Sequence, residues 1–152
     1  MALVIAVEDP RQPDVRAVVD RHLAFARAVT PPELVFAFDL ESLRAPSITF
    51  CVGRVDGEAV AIGALHELDP THGELKSMHV VAERRGEGLA QAMVEHLLGL
   101  ARARGMTRVS LETGAEPEFA PAHRLYARLG FAPCPPFGPY DERSVCMTRA
   151  LG

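Results

Sequence analysis

Residues 74–105 read ELKSMHVVAERRGEGLAQAMVEHLLGLARARG, a strand-like run, a glycine-bearing turn and a long amphipathic stretch in direct succession. The pattern predicts a strand ending at Val80, a turn through Arg84-Arg85-Gly86-Glu87-Gly88 and a helix that Gly105 terminates. Within the helix, Leu89, Met93, Leu97 and Leu100 mark one apolar face, and Glu87, Glu95, Arg102 and Arg104 face away from it. The first turn of a helix carries amides without intrahelical acceptors and the positive end of the macrodipole. Gly86 and Gly88 remove the Cβ atoms that would obstruct an anion and permit positive φ, so the turn reads as an anion site suited to a pyrophosphate. A dinucleotide fingerprint G-x-G-x-x-G fits poorly, because Gln91 occupies its third small position and Glu112 lies beyond the usual spacing of about 20 residues.

The remainder of the chain bounds what surrounds this turn. Its 152 residues, 48% of them hydrophobic, suit a single domain over 1–152 with one core. The net charge of −4, with no run of Lys or Arg, argues against a nucleic-acid partner. The run Ala2 to Val7 is too short for a signal-peptide core and no apolar run is long enough to span a membrane. Cys51, Cys134 and Cys146 lack metal or redox spacing, which points to reduced thiols and a cytoplasmic protein. The six histidines show no H-E-x-x-H or related pattern, so no metal is expected.

In chain order, Ala2 to Val7 reads as a strand, and Asp14 can cap a helix carrying Val15, Val18, His22, Phe25 and Val29 at helical spacing, ended by Pro31-Pro32. A weaker helical pattern covers 33–43. Ser47 to Val55 alternates as a strand, Asp56-Gly57 signals a tight hairpin, and Ala59 to Leu68 returns as its partner. A turn is expected over Asp69 to Gly73, a strand over Thr107 to Thr113, and a helix from Pro121 to Leu129. A strand begins at Phe131, a proline-rich loop runs from Pro133 to Tyr140, and Ser144 to Ala150 forms the last strand. The expected fold is mixed α/β: six or seven mostly antiparallel strands flanked by about four helices, in the order βααβββαβαββ.

Two motifs bring a family into view. Arg85-Gly86-Glu87-Gly88-Leu89-Ala90 fits Q/R-x-x-G-x-G/A, and Ala122-His123-Arg124-Leu125-Tyr126-Ala127-Arg128-Leu129-Gly130-Phe131 fits A-x-x-L-Y-x-x-x-G-F. In both, the chain resembles the GNAT family of N-acetyltransferases. The resemblance implies acetyl-CoA as cosubstrate, its pyrophosphate on the amides of Arg85, Gly86, Glu87, Gly88, Leu89 and Ala90 and its pantetheine along Met78, His79 and Val80. It implies Tyr126 as the acid that protonates the leaving thiolate. Glu74 stands where histone-acetylating members carry a catalytic glutamate, six residues before Val80, and is the first candidate base. Glu112 is the second, and His79 and His66 follow, since imidazole titrates near neutrality. Glu112, Phe137 and Tyr140 are candidates for the acceptor pocket, whose other wall the first helices supply in this family. Phe119 departs from the asparagine that many relatives carry three residues before the motif alanine.

The activity implied is transfer of an acetyl group to a primary amine by direct attack in a ternary complex. A CoA-binding sensor without turnover and an enzyme using a longer acyl-CoA stand as alternatives. The acceptor is a small-molecule or peptide amine, and related folds often pair as homodimers through their C-terminal strands.

Overall fold

The structure, a computed structural model, describes residues 2–152. Seven strands, β1 (Leu3–Val7), β2 (Ile48–Val55), β3 (Glu58–Asp69), β4 (His72–Val80), β5 (Arg108–Thr113), β6 (Ala132–Pro133) and β7 (Val145–Ala150), form one sheet in the order β1-β2-β3-β4-β5-β7-β6. Every neighbouring pair is antiparallel except β4 and β5, which run parallel with the crossover through a helix between them. Three helices pack on the sheet: α1 (Pro13–Val29), α2 (Leu89–Ala103) and α3 (Ala120–Arg128).

Alternation along β3 sends its side chains into two separate cores. Val60, Ile62 and Ala64 join Val15, Val18, Val19 and Leu23 of α1. On the opposite side, Ala61 and Leu65 join Met93, Val94, Leu97 and Leu98 of α2, with Leu111 and Tyr126 in the same cluster. Each helix therefore buries one stripe against one face of the sheet.

The hairpin between β2 and β3 follows from its turn residues. Asp56 and Gly57 have φ of 52° and 81°, the two positive values that a type I′ turn needs, and Val55 pairs with Glu58 across them. About four helices were expected and three form. The pattern at 33–43 becomes two single 3-10 turns, Pro32–Leu34 and Ser42–Arg44, with irregular chain between. Pro31-Pro32 and Pro46 confine the segment, and Lys76 Nζ bonds the Phe36 carbonyl at 3.0 Å, an oxygen that a helix would have turned to its own backbone. The turn expected over Asp69 to Gly73 is shorter than that: Asp69 pairs with His72, so His72 and Gly73 belong to β4.

Two irregularities position the site. In β4, Ser77 and Met78 together face the single Gly63 of β3, a bulge in which Ser77 takes φ of 55°. Gly63 leaves the space that this needs, since a Cβ there would stand 2.8 Å from Met93 Cγ and 2.9 Å from Met78 Sδ. Beyond Leu75 and Leu111 the parallel pairing of β4 with β5 stops, although β4 continues to Val80 and β5 to Thr113. The sheet is open there.

Candidate active site

A cavity of about 440 Å³ occupies the opening. Met78, His79 and Val80 of β4 and Leu111, Glu112 and Thr113 of β5 form its parted edges. Arg85, Ala90, Met93 and Tyr126 wall the side of α2 and α3, and His22 and Phe25 of α1 wall the other, together with Phe36 and its neighbours.

At the α2 end, Gly86 and Gly88 have φ of 84° and 80°, and a Cβ at either would meet nothing within 4 Å. Gly88 is the N-cap and supplies no side-chain cap. Among the described residues, the amides of Gly88, Leu89, Ala90 and Gln91 find no protein acceptor, the first bond being Ala92 N–H to the Gly88 carbonyl at 3.1 Å. The Leu89 side chain packs into the α1-side core, so only its amide faces outward. Gly86, Glu87 and Gly88 are exposed, and Arg84 lies 3.5 Å from the Glu87 carboxylate. Arg21 of α1 bonds Glu83 at 2.6 Å, tying the far wall of the cavity to this turn.

Tyr126 projects from α3 into the cavity wall, its ring edge-to-face with Phe131 at 5.7 Å. Among the described residues its hydroxyl has no hydrogen-bond partner, and burial pushes the phenol up to about 12, so it carries its proton throughout the neutral range. Phe119 precedes α3, which begins at Ala120, one residue before the expected start, and its ring packs edge-to-face on Phe25 at 5.6 Å.

The opposite part of the cavity rests on a buried polar cluster. Glu74 is 3% exposed and accepts the Tyr140 hydroxyl at 2.5 Å. Lys76 Nζ donates to the Tyr140 oxygen at 3.0 Å, lies 3.9 Å from Glu74, and sits 4.4 Å over the Phe38 ring. His66 Nδ1 is 3.5 Å from the other Glu74 oxygen. Burial holds Lys76 below the ordinary lysine value, against the attraction of Glu74 and Glu112, and burial with the Glu74 charge raises Tyr140. Lys76 and Glu112 reach the cavity wall, whereas Glu74, Tyr140 and Phe137 stand behind it. Burial raises the Glu112 carboxyl above the usual carboxylate range. Phe137 stacks edge-to-face on Tyr140 at 5.1 Å and so supports the cluster from outside.

His22 and His79 meet at 3.2 Å between their Nδ1 atoms, with rings at 70°. Burial brings both to about 4, helped at His22 by Lys76 and at His79 by His22 and Arg85. Both rings are therefore neutral near pH 7, and one nitrogen must donate to the other. Among the described residues no group of three or more metal-ligating side chains exists.

The structure thus brings Met78, His79, Val80, Arg85, Ala90, Glu112 and Tyr126 to one cavity. Sequence reading missed His22, Phe25 and Phe36 as wall residues and Lys76 as part of the cluster. A signal for Lys76 was present: Glu74 and Lys76, two positions apart, share one face of an internal strand, where opposite charges are buried only as partners. His22 was equally visible as the one polar residue on the apolar stripe of α1.

The acetyltransferase (GNAT) family model matches residues 15–131. The chain is 41% identical over 149 residues to the uncharacterised N-acetyltransferase YsnE of Bacillus subtilis (strain 168), covering 97% of this chain and 99% of that one. It is 39% identical over 149 residues to the uncharacterised N-acetyltransferase YedL of Escherichia coli (strain K12), covering 97% and 94%. Its fold is similar to that of a proposed acyl-CoA N-acyltransferase from Klebsiella pneumoniae subsp. pneumoniae MGH 78578, with a TM-score of 0.84, 26% identity and coverage of 99% and 98%. The matching motifs, the parted strands and these likenesses agree: the chain belongs to the acetyltransferase (GNAT) family and is an N-acetyltransferase.

Proposed function

We propose that the protein transfers an acetyl group from acetyl-CoA to a primary amine by direct attack in a ternary complex. One observation carries this reading: Ala90, one of the four residues with acceptor-free amides at the start of α2, and Tyr126, whose hydroxyl has no partner among the described residues, line a single cavity in the opened sheet. The glycine turn fits a pyrophosphate, because its amides lack partners and no Cβ obstructs the approach. The fold neighbour from Klebsiella is described as acting on acyl-CoA, which agrees with that guest.

Acetyl-CoA, when bound, supplies an acetyl group already activated as a thioester. The chain contributes placement and proton transfer. The amides of Gly88 to Gln91 hold the anionic end, and the bulge at Ser77-Met78 exposes backbone beside the parted edge, where an N–H can support a developing oxyanion. The amine nitrogen forms the new C–N bond as the C–S bond breaks. Tyr126 gives its proton to the departing sulfur, and Glu112, on the cavity wall with its affinity for protons raised, takes the proton from the amine. Glu74, itself behind that wall, holds Tyr140 and Lys76 in register rather than meeting the amine. Reduced thiols and the absence of a long apolar helix among the described residues accord with work in the cytoplasm.

The test is free-thiol release from acetyl-CoA in the presence of primary amines, with thermal melting as a parallel readout. Amine-dependent release together with stabilisation by acetyl-CoA is the expected result. Stabilisation without release under any amine would mean a CoA-binding module, and neither effect would remove the reading altogether.

A further inference from the structure

Three aromatic rings from three separate segments line the cavity: Phe25 of α1, Phe36 of the 31–46 connection and Phe119 of the turn before α3. Phe25 and Phe119 contact each other edge-to-face at 5.6 Å, and Phe36 is held edge-to-face on Tyr140 at 4.9 Å. Each ring is thus fixed by a partner while it remains only half-buried, leaving apolar surface toward the empty side. Leu34 and Val35 extend the same wall.

The charges on the wall balance. Among the described residues they are Lys76 and Arg85 against Glu112 and Glu118, and the histidine pair between α1 and β4 adds none near neutral pH. A polyamine or an aminoglycoside carries several ammonium groups and calls for several unpaired carboxylates in its site. Behind the wall, Glu74 is already occupied by Tyr140 and Lys76.

Lys76 shows what this environment does to an alkyl ammonium. It has one carboxylate 3.9 Å away and a second in range, yet burial still draws it below the ordinary lysine value. An amine seated against Phe25, Phe36 and Phe119 also leaves water behind, and desolvation favours the neutral form able to attack. The histidine pair complements a neutral amine, since its one shared proton leaves a bare ring nitrogen elsewhere on the pair.

Building on the acetyltransferase reading above, we propose that the acceptor is a primary amine on an aromatic or branched apolar arm, with Phe25, Phe36 and Phe119 as the residues that select it. The acetylated product then carries a neutral amide in place of the amine, with its arm unchanged.

The experiment measures thiol release from acetyl-CoA for 2-phenylethylamine, isoamylamine, L-phenylalanine and L-leucine, and for spermidine, kanamycin and a lysine peptide. The expected result is a kcat/KM at least about tenfold higher for one or more of the first four than for any of the other three. Preference within the first four tells a simple amine from an amino acid, and either supports the proposal. Phe25→Ala is expected to raise KM for the preferred acceptor about tenfold and to leave the KM of acetyl-CoA unchanged, with Phe25→Leu restoring most of the loss. A higher kcat/KM for spermidine, kanamycin or the peptide overturns the acceptor class and leaves the acetyltransferase reading standing. So does a Phe25→Ala effect equal for every acceptor. Absence of both release and thermal stabilisation by acetyl-CoA removes both readings together.

Discussion

Tyr126, the acid of the proposed reaction, owes its protonated state to its packing. The ring is buried beside Phe131 and the core of α2, which fixes its direction, and the same burial holds the phenol to about 12. A group so situated remains a proton donor at every pH at which the protein is assayed. Tyr126→Phe is expected to lower kcat at least about tenfold with acetyl-CoA binding retained, since acid catalysis contributes typically 10² to 10⁴. Steady-state kinetics with a parallel melting curve checks this. Glu112→Gln is expected to lower kcat and to abolish the rise in rate as pH passes upward through the raised Glu112 value. The histidine pair has a separate effect on stability. Both rings lie near 4 when folded and near 6.5 when free, so the unfolded chain binds more protons between these values and stability is lost as pH falls through that window. Glu112, raised by burial, works in the opposite direction, whereas Asp9 and Glu83, held to about 2 by Arg11 and Arg21, affect stability only below the usual carboxylate range. The difference in melting temperature between the parent and a His22→Gln, His79→Gln double variant isolates the pair. That difference is expected to shrink or reverse as pH drops from about 6.5 to about 4.5. Tyr126 was legible because its motif surrounds it, but the histidine pair was not, since its members lie 57 positions apart and only the packing of α1 on β4 unites them.

At the scale of elements, local chemistry decided what could be read in advance. Asp56-Gly57 requires a type I′ turn by its own backbone preferences, and α2 follows from a glycine turn, an apolar stripe and Gly105. The segment 33–43 could not be read in the same way, because the Phe36 carbonyl is bonded by a lysine 40 positions away. The bulge at Ser77-Met78 was equally hidden. It depends on Gly63 in a neighbouring strand, and no turn residue marks it in β4. Gly88 tests the donor end of the cavity. At φ of 80°, Gly88→Ala adds backbone strain of about 1 kcal/mol or more and places a methyl group where the proposed pyrophosphate would sit. It is expected to lower the melting temperature modestly and to raise the KM of acetyl-CoA while leaving the KM of the amine nearly unchanged.

Across the whole molecule, the mixed character of the sheet was foreseeable from the alternation of strands and helices, and the cavity was not, because a gap between two strands leaves no mark in either sequence. Its consequence reaches to the kinetics. Tyr126 belongs to the core on the α2 face of the sheet and α1 to the core on the other, and Leu89 at the start of α2 packs into that second core. Binding of acetyl-CoA at about 100 times its Kd is expected to stabilise the fold by about 2.7 kcal/mol, read as a rise in melting temperature. The parting of β4 from β5 leaves a window in the sheet, walled by α2 and α3 on one side and by α1 on the other, and in the proposed reaction thioester and amine meet in it along different walls. On that reading neither reactant blocks the other's exit. The acetylated amine can depart while the spent thiol carrier stays, a fresh amine can then enter opposite it, and the resulting dead-end complex should appear as inhibition by free CoA that no excess of amine relieves.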